Sequence, residues 1–132
     1  MHITGLYAAI AALLVVVFGV RVTLRRRAIK VGIGNGGDAV LAQRIRVHAN
    51  AVEYLPLALI LLLILELNHT QPLVLHVFGI ALILGRIAHA IGLSSSPGIT
   101  PGRGVGMVLT WLTIALMALL LLWQAVVMWV LT

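Results

Sequence analysis

Four long apolar stretches run through this chain, from about residue 3 to 20, 46 to 67, 72 to 93 and 105 to 131. Each is about 18 to 27 residues long, enough for a helix to cross a hydrocarbon layer about 30 Å thick. None alternates with period two, and all are far longer than a membrane strand, so helices are implied rather than a barrel. The 132 residues are 62% hydrophobic and 9% charged, too apolar a mixture for a water-soluble core of this size. The expected architecture is all-α: a polytopic membrane protein, one domain over residues 1–132, built as a bundle of four transmembrane helices. Only Met1 and His2 precede the first stretch, with no basic leader, so it reads as a retained helix rather than a cleaved signal.

The connections carry turn chemistry. Val31 to Gly37 is glycine-rich, and Asp38 is placed to N-cap the helix that follows. Asn68-His69-Thr70-Gln71-Pro72 reads as a tight turn with proline at the next helix start. Residues 94 to 104, rich in Ser, Gly and Pro, read as a loop. The formal charge of +6 is unevenly placed. Arg21, Arg25, Arg26, Arg27, Lys30, Arg44 and Arg46 surround the first connection, and Arg103 lies at the third. The second connection and both termini carry no lysine or arginine. The positive-inside rule puts the first and third loops in the cytoplasm and both termini on the opposite side. Cations that flank apolar spans speak for membrane topology, not nucleic acid. The glycine run 32–37 is loosely similar to a dinucleotide fingerprint, but it follows no strand and leads into a membrane helix. With no cysteine in the chain, disulfides, thiolate metal sites and a cysteine nucleophile are excluded.

The chemistry concentrates at the start of the second span. At about 100° per residue, Arg46, Asn50, Glu53 and Tyr54 fall within an arc of about 100° over two turns. A carboxylate one to two turns inside a membrane helix must be paired or protonated. A salt-bridged helix pair, with Arg46 or Arg86 neutralising Glu53, explains the two charges but not Asn50 and Tyr54 beside them. A ligand bearing both ammonium and carboxylate groups explains all four. In the third span Ala81, Gly85, Ala88 and Gly92 form a small-residue stripe that lets another helix come close. Arg86 and His89 flank it, Arg86 calling for an acidic partner from protein or ligand, His89 at least for a hydrogen bond. His2, His48, His69 and His76 lack metal-ligand spacing, and no metal site is expected. Trp111, Trp123 and Trp129 read as interface anchors of the last helix.

The run Arg46-Val-His-Ala-Asn50-Ala-Val-Glu53-Tyr54-Leu-Pro56 closely resembles the second-helix signature of the MAPEG family, the membrane-associated proteins in eicosanoid and glutathione metabolism. Residues 26 to 31 are similar to the basic end of that family's first helix, and Gly85-Arg86-Ile87-Ala88-His89 to its third-helix motif. The resemblance covers essentially the whole chain. It implies a homotrimer with glutathione, the co-substrate, bound between neighbouring subunits near the cytoplasmic face. Arg26, Arg46, Asn50, Glu53 and Tyr54 would form the glutathione set, joined by Arg86 and His89. Glu53 would accept the ammonium, and the arginines with Asn50 would hold the carboxylates. Arg103 matches the arginine that activates the thiol. Two positions depart from the pattern: Leu93 stands near a tyrosine of many members, and Ala42-Gln43 near an acidic residue.

The leading expectation is therefore a glutathione transferase acting on apolar electrophiles that arrive through membrane lipids, with peroxidase and isomerase chemistry left open. A nearby guanidinium favours the thiolate over the thiol. A non-catalytic lipid- or ligand-binding protein of the same fold is one alternative, and a small transporter or assembly subunit another. The short, unadorned chain points to a bacterial inner membrane.

Overall fold

A computed structural model of the protein describes residues 3 to 131, apart from residues 97 and 99 and the side chain of residue 131. His2 and part of the third connection therefore lie outside the described residues. The described chain is four helices: α1 (Ile3–Ile29), α2 (Ala39–Leu67), α3 (Pro72–Ser95) and α4 (Pro101–Leu131). They overrun the apolar stretches at the basic end. α1 continues past Val20 through Arg21, Arg25, Arg26 and Arg27, and α2 begins before Arg46 and already holds Arg44. Arginine, leucine, alanine and glutamine are good helix formers, so the helices continue until something stops them. Most of the first connection's cations thus sit on helical extensions, and only residues 30 to 38 are loop.

The stops are backbone devices. Lys30 adopts the left-handed conformation (φ 56°), Val31 N donates to Arg26 O at 3.0 Å, and α1 closes in a Schellman-type turn. His69 (φ 57°) ends α2 in the same way, with Thr70 N donating to Leu65 O at 3.0 Å. Gln71 is extended before Pro72, which opens α3 at its first turn as the sequence predicts.

Asp38 caps α2 as expected, accepting from Leu41 N at 2.6 Å. Arg25 also clamps it, with Nε 3.1 Å from Oδ1 and Nη2 2.6 Å from Oδ2, so the loop is tied back onto α1. The Arg25 guanidinium, helped by the Leu41 amide, holds the Asp38 carboxyl below the usual carboxylate range. A lowered folded-state pKa gives stability that is present above the unfolded value of about 3.9 and lost as pH falls through the lowered one. Asp38→Asn should raise amide exchange over residues 30–41 several-fold at neutral pH. The gap from the parent should close in acid once Asp38 itself protonates. A gap that persists there would assign the effect to packing rather than charge.

The closest approach is between α3 and α4. The Ala81-Gly85-Ala88-Gly92 stripe meets a matching one, Gly102-Gly106-Thr110. A Cβ at Gly85 would fall 2.9 Å from Thr110 Oγ1 and 3.1 Å from Gly106 O. One at Gly92 would run into the Arg103 backbone nitrogen, and one at Gly106 into that of His89. The backbones can approach so closely only because these side chains are absent. α2 packs on both α3 and α4, α1 packs on α2 and α3, and among the described residues the backbones of α1 and α4 do not come close.

At the opposite end several polar groups pair with one another, although the buried Thr4 hydroxyl has no hydrogen-bond partner among the described residues. Glu66 of α2 accepts from Ile3 N (2.7 Å) and Thr4 N (2.8 Å), placing a carboxylate on the positive end of α1. Tyr7 Oη lies 2.9 Å from His76 Nδ1 and donates to the His76 carbonyl at 3.2 Å. Asn68, Gln124 and Thr70 form a hydrogen-bonded chain from the second turn to α4. The outer surface is aliphatic, and only 22% of the most apolar window of α4 is buried within the chain. Such a surface belongs in lipid. The protein is a multi-pass membrane protein with four spanning helices.

Candidate functional site

The up-and-down order brings the first half of α2, the second half of α3 and the start of α4 to one end of the bundle, the basic one. A cavity of about 410 Å³ opens there, with Arg46, Asn50, His89 and Arg103 in its wall. Leu93, Met107, Val108 and Trp111 complete its apolar side. Trp111 thus lines the cavity, part-way along α4. Trp123 and Trp129 are exposed near the other end of the helix.

Beneath the cavity lies Arg86, only 2% exposed. Its Nη1 donates to Asn50 Oδ1 at 2.5 Å and its Nε to Thr110 Oγ1 at 3.0 Å. Nη2 points at Met107 Sδ, 3.7 Å away, and the Tyr54 ring centroid is 5.4 Å from Cζ. Of the acidic partner expected from protein or ligand, the protein supplies none among the described residues. Among the described residues its neighbours are an amide, a hydroxyl, a thioether and an aromatic face. These satisfy the guanidinium's hydrogen bonds without cancelling its charge, so a positive potential persists under the cavity. Asn50, whose oxygen is taken by Arg86, is 4% exposed and acts inward.

His89 is also buried, and its Nδ1 lies 3.1 Å from the Arg103 carbonyl oxygen. A carbonyl only accepts, so Nδ1 carries the proton and Nε2 keeps the lone pair. The bond crosses the glycine-lined seam and ties His89 to the first turn of α4. That turn is held by Thr100, whose hydroxyl donates to Gly92 O at 2.8 Å and lies 3.4 Å from Arg103 N. The Arg103 side chain is half-buried on the cavity wall, beside the positive end of the α4 dipole.

The remaining predicted residues lie elsewhere. Glu53 faces outward and pairs with Arg46 at 3.2 and 3.3 Å, with about half of each side chain exposed (49% and 57%). Arg26 turns onto the first loop, donating to Gly32 O at 3.1 Å and Gly34 O at 2.8 Å. The structure thus gathers Arg46, Asn50, His89 and Arg103 at the cavity, sets Arg86 and Tyr54 behind it, and leaves Glu53 on the outer face and Arg26 apart. The sequence reading missed Thr110 and Met107 as partners of Arg86. The signal for Thr110 was the four-residue spacing of Gly102, Gly106 and Thr110, which mirrors the stripe of α3.

A sequence model of the MAPEG family matches residues 4–123. The chain is 38% identical over 121 residues to the inner membrane protein YecN of Escherichia coli K12, covering 92% of this chain and 91% of the relative. The YecN protein of Escherichia coli O6:H1 matches to the same extent. With its four spanning helices and the Arg46-to-Pro56 run on α2, this chain belongs to the MAPEG family.

Proposed function

We propose that the protein is a glutathione-dependent transferase that joins glutathione to apolar electrophiles in a bacterial inner membrane. The observation that carries this reading is the cavity at the basic end, where Arg46, Asn50, His89 and Arg103 meet above an arginine with no neutralising carboxylate. Such a site suits a small anion, and a thiolate within it lies at the border of polar and lipid surroundings. Arg103 lowers the thiol pKa, and the positive end of α4 adds to the effect. The thiolate sulfur attacks the electrophilic carbon, a C–S bond forms, and the leaving group departs with its electron pair. Apolar substrate reaches the sulfur past Val108 and Trp111 from the bilayer.

The working unit in this proposal is a homotrimer, with the first and third loops cytoplasmic. The outward Arg46–Glu53 pair then meets a neighbouring subunit, and Glu53 accepts the glutathione ammonium. Arg26 joins the binding set by releasing its loop carbonyls. Purified protein given glutathione and a chromogenic aryl halide should form the thioether above the uncatalysed rate; no rate enhancement would overturn the transferase reading. Glu53→Gln removes a charge-assisted bond, and glutathione affinity should fall about tenfold by calorimetry. Unchanged affinity would remove Glu53 from the binding set.

A further inference from the structure

A second groove, of about 360 Å³, lies between α1 and α3 towards the basic end. Its character changes along its length. On α1, Leu14, Phe18 and Arg21 follow one another at intervals of four and three residues, so they share a face. On α3, Ile87, Ile91 and Ser94 repeat the same spacing. As the first and third helices of an up-and-down bundle, α1 and α3 run the same way. Both stripes pass from aliphatic to polar towards the same end. The slot is apolar for about 10 Å and closes on a guanidinium and a hydroxyl.

The charges at that lip are unbalanced. The Arg21 side chain and the Ser94 hydroxyl have no hydrogen-bond or ion-pair partner among the described residues. Arg21 offers only its backbone carbonyl, which accepts from Arg44 Nη1 at 2.9 Å and so brings a second cation near. Of the carboxylates at this end, Asp38 is held by Arg25 and Glu53 by Arg46. A guanidinium left without a carboxylate at the bilayer surface favours an anionic headgroup over a zwitterionic one.

We propose that this groove is a binding site for an anionic phospholipid. One acyl chain lies along Leu14, Phe18 and Ile91. The phosphate rests on Arg21, and Ser94 donates a hydrogen bond to it. The site lies between α1 and α3, whereas the polar cavity is walled by α2, α3 and α4. The proposal is therefore independent of the glutathione reading.

Native mass spectrometry of the detergent-purified full chain tests it, by titration with phosphatidylglycerol or phosphatidylcholine of identical acyl chains. The parent should retain phosphatidylglycerol about fivefold more tightly. Arg21→Gln should bring it down to the phosphatidylcholine level, and Arg21→Lys should keep most of the preference. Arg27→Gln, an exposed cation outside the groove, should alter it by less than about twofold. Equal retention of the two lipids by the parent would overturn the proposal without recourse to any variant. So would a preference that survives Arg21→Gln, or one lost equally in Arg27→Gln, which would mark general surface charge. Displacement of the lipid by millimolar inorganic phosphate would mark a site for the free anion and also count against it.

Discussion

Gly106→Leu should cost the protein its folded bundle. At Gly106 even the first added carbon would press on the His89 backbone nitrogen and the Gly85 carbonyl. Backbone on that wall cannot rotate aside as a side chain would. Overpacking of this kind costs about 1–3 kcal/mol where a core can adjust, and more where it cannot. Separating α3 from α4 would also strain the Arg86–Thr110 and His89–Arg103 hydrogen bonds that span the seam. The expected readout is a fall of the thermal midpoint in detergent on the order of 10 °C or outright loss of soluble protein. Gly104→Ala is the matched control. Nothing lies within 4 Å of a Cβ there, and relief of a helical glycine should leave stability equal or better by about 1 kcal/mol. Equal midpoints for the Gly106 variant and the parent would mean that the seam is wider than described.

Arg103→Ala should lower turnover about 25-fold at neutral pH while glutathione affinity changes by only a few-fold. A free thiol with pKa about 8.5 is mostly protonated at neutral pH, and a shift of about two units needs about 2.7 kcal/mol of differential stabilisation. That is the task assigned to Arg103 under the proposed function. Loss of the guanidinium should move the rising limb of the pH–rate profile to higher pH, so activity should recover partly in alkali. A variant of unchanged turnover would take Arg103 out of the chemistry. One that is slow at every pH would show that the guanidinium acts other than through the thiol pKa.

The membrane architecture was legible because it rests on runs of about twenty apolar residues, which no local detail can disguise. The helix ends were less so. Polar helix formers carry α1 and α2 well beyond the apolar stretches, and the terminators at Lys30 and His69 are left-handed residues with no glycine to mark them. Helical periodicity placed Arg46, Asn50, Glu53 and Tyr54 on one arc, and the arc is real. Azimuth alone cannot say which side of the arc meets a neighbouring helix. Asn50 lies about 60° from Glu53, yet one is buried against Arg86 and the other is at the edge of the packed face. That no acidic side chain of the protein serves Arg86 has a related reason. The chain's three carboxylates are engaged by Arg25, by Arg46 and by the first amides of α1. Neutral acceptors from α2 and α4 serve Arg86, and they come together only in three dimensions.

The bond from His89 to the Arg103 carbonyl uses the one ring nitrogen that keeps its hydrogen in either charge state. The imidazole can therefore take up a proton on its other nitrogen and release it again while the contact between the third and fourth helices stays intact. Under the proposed function, a charge gained or lost on that nitrogen needs no rearrangement of the scaffold around the cavity.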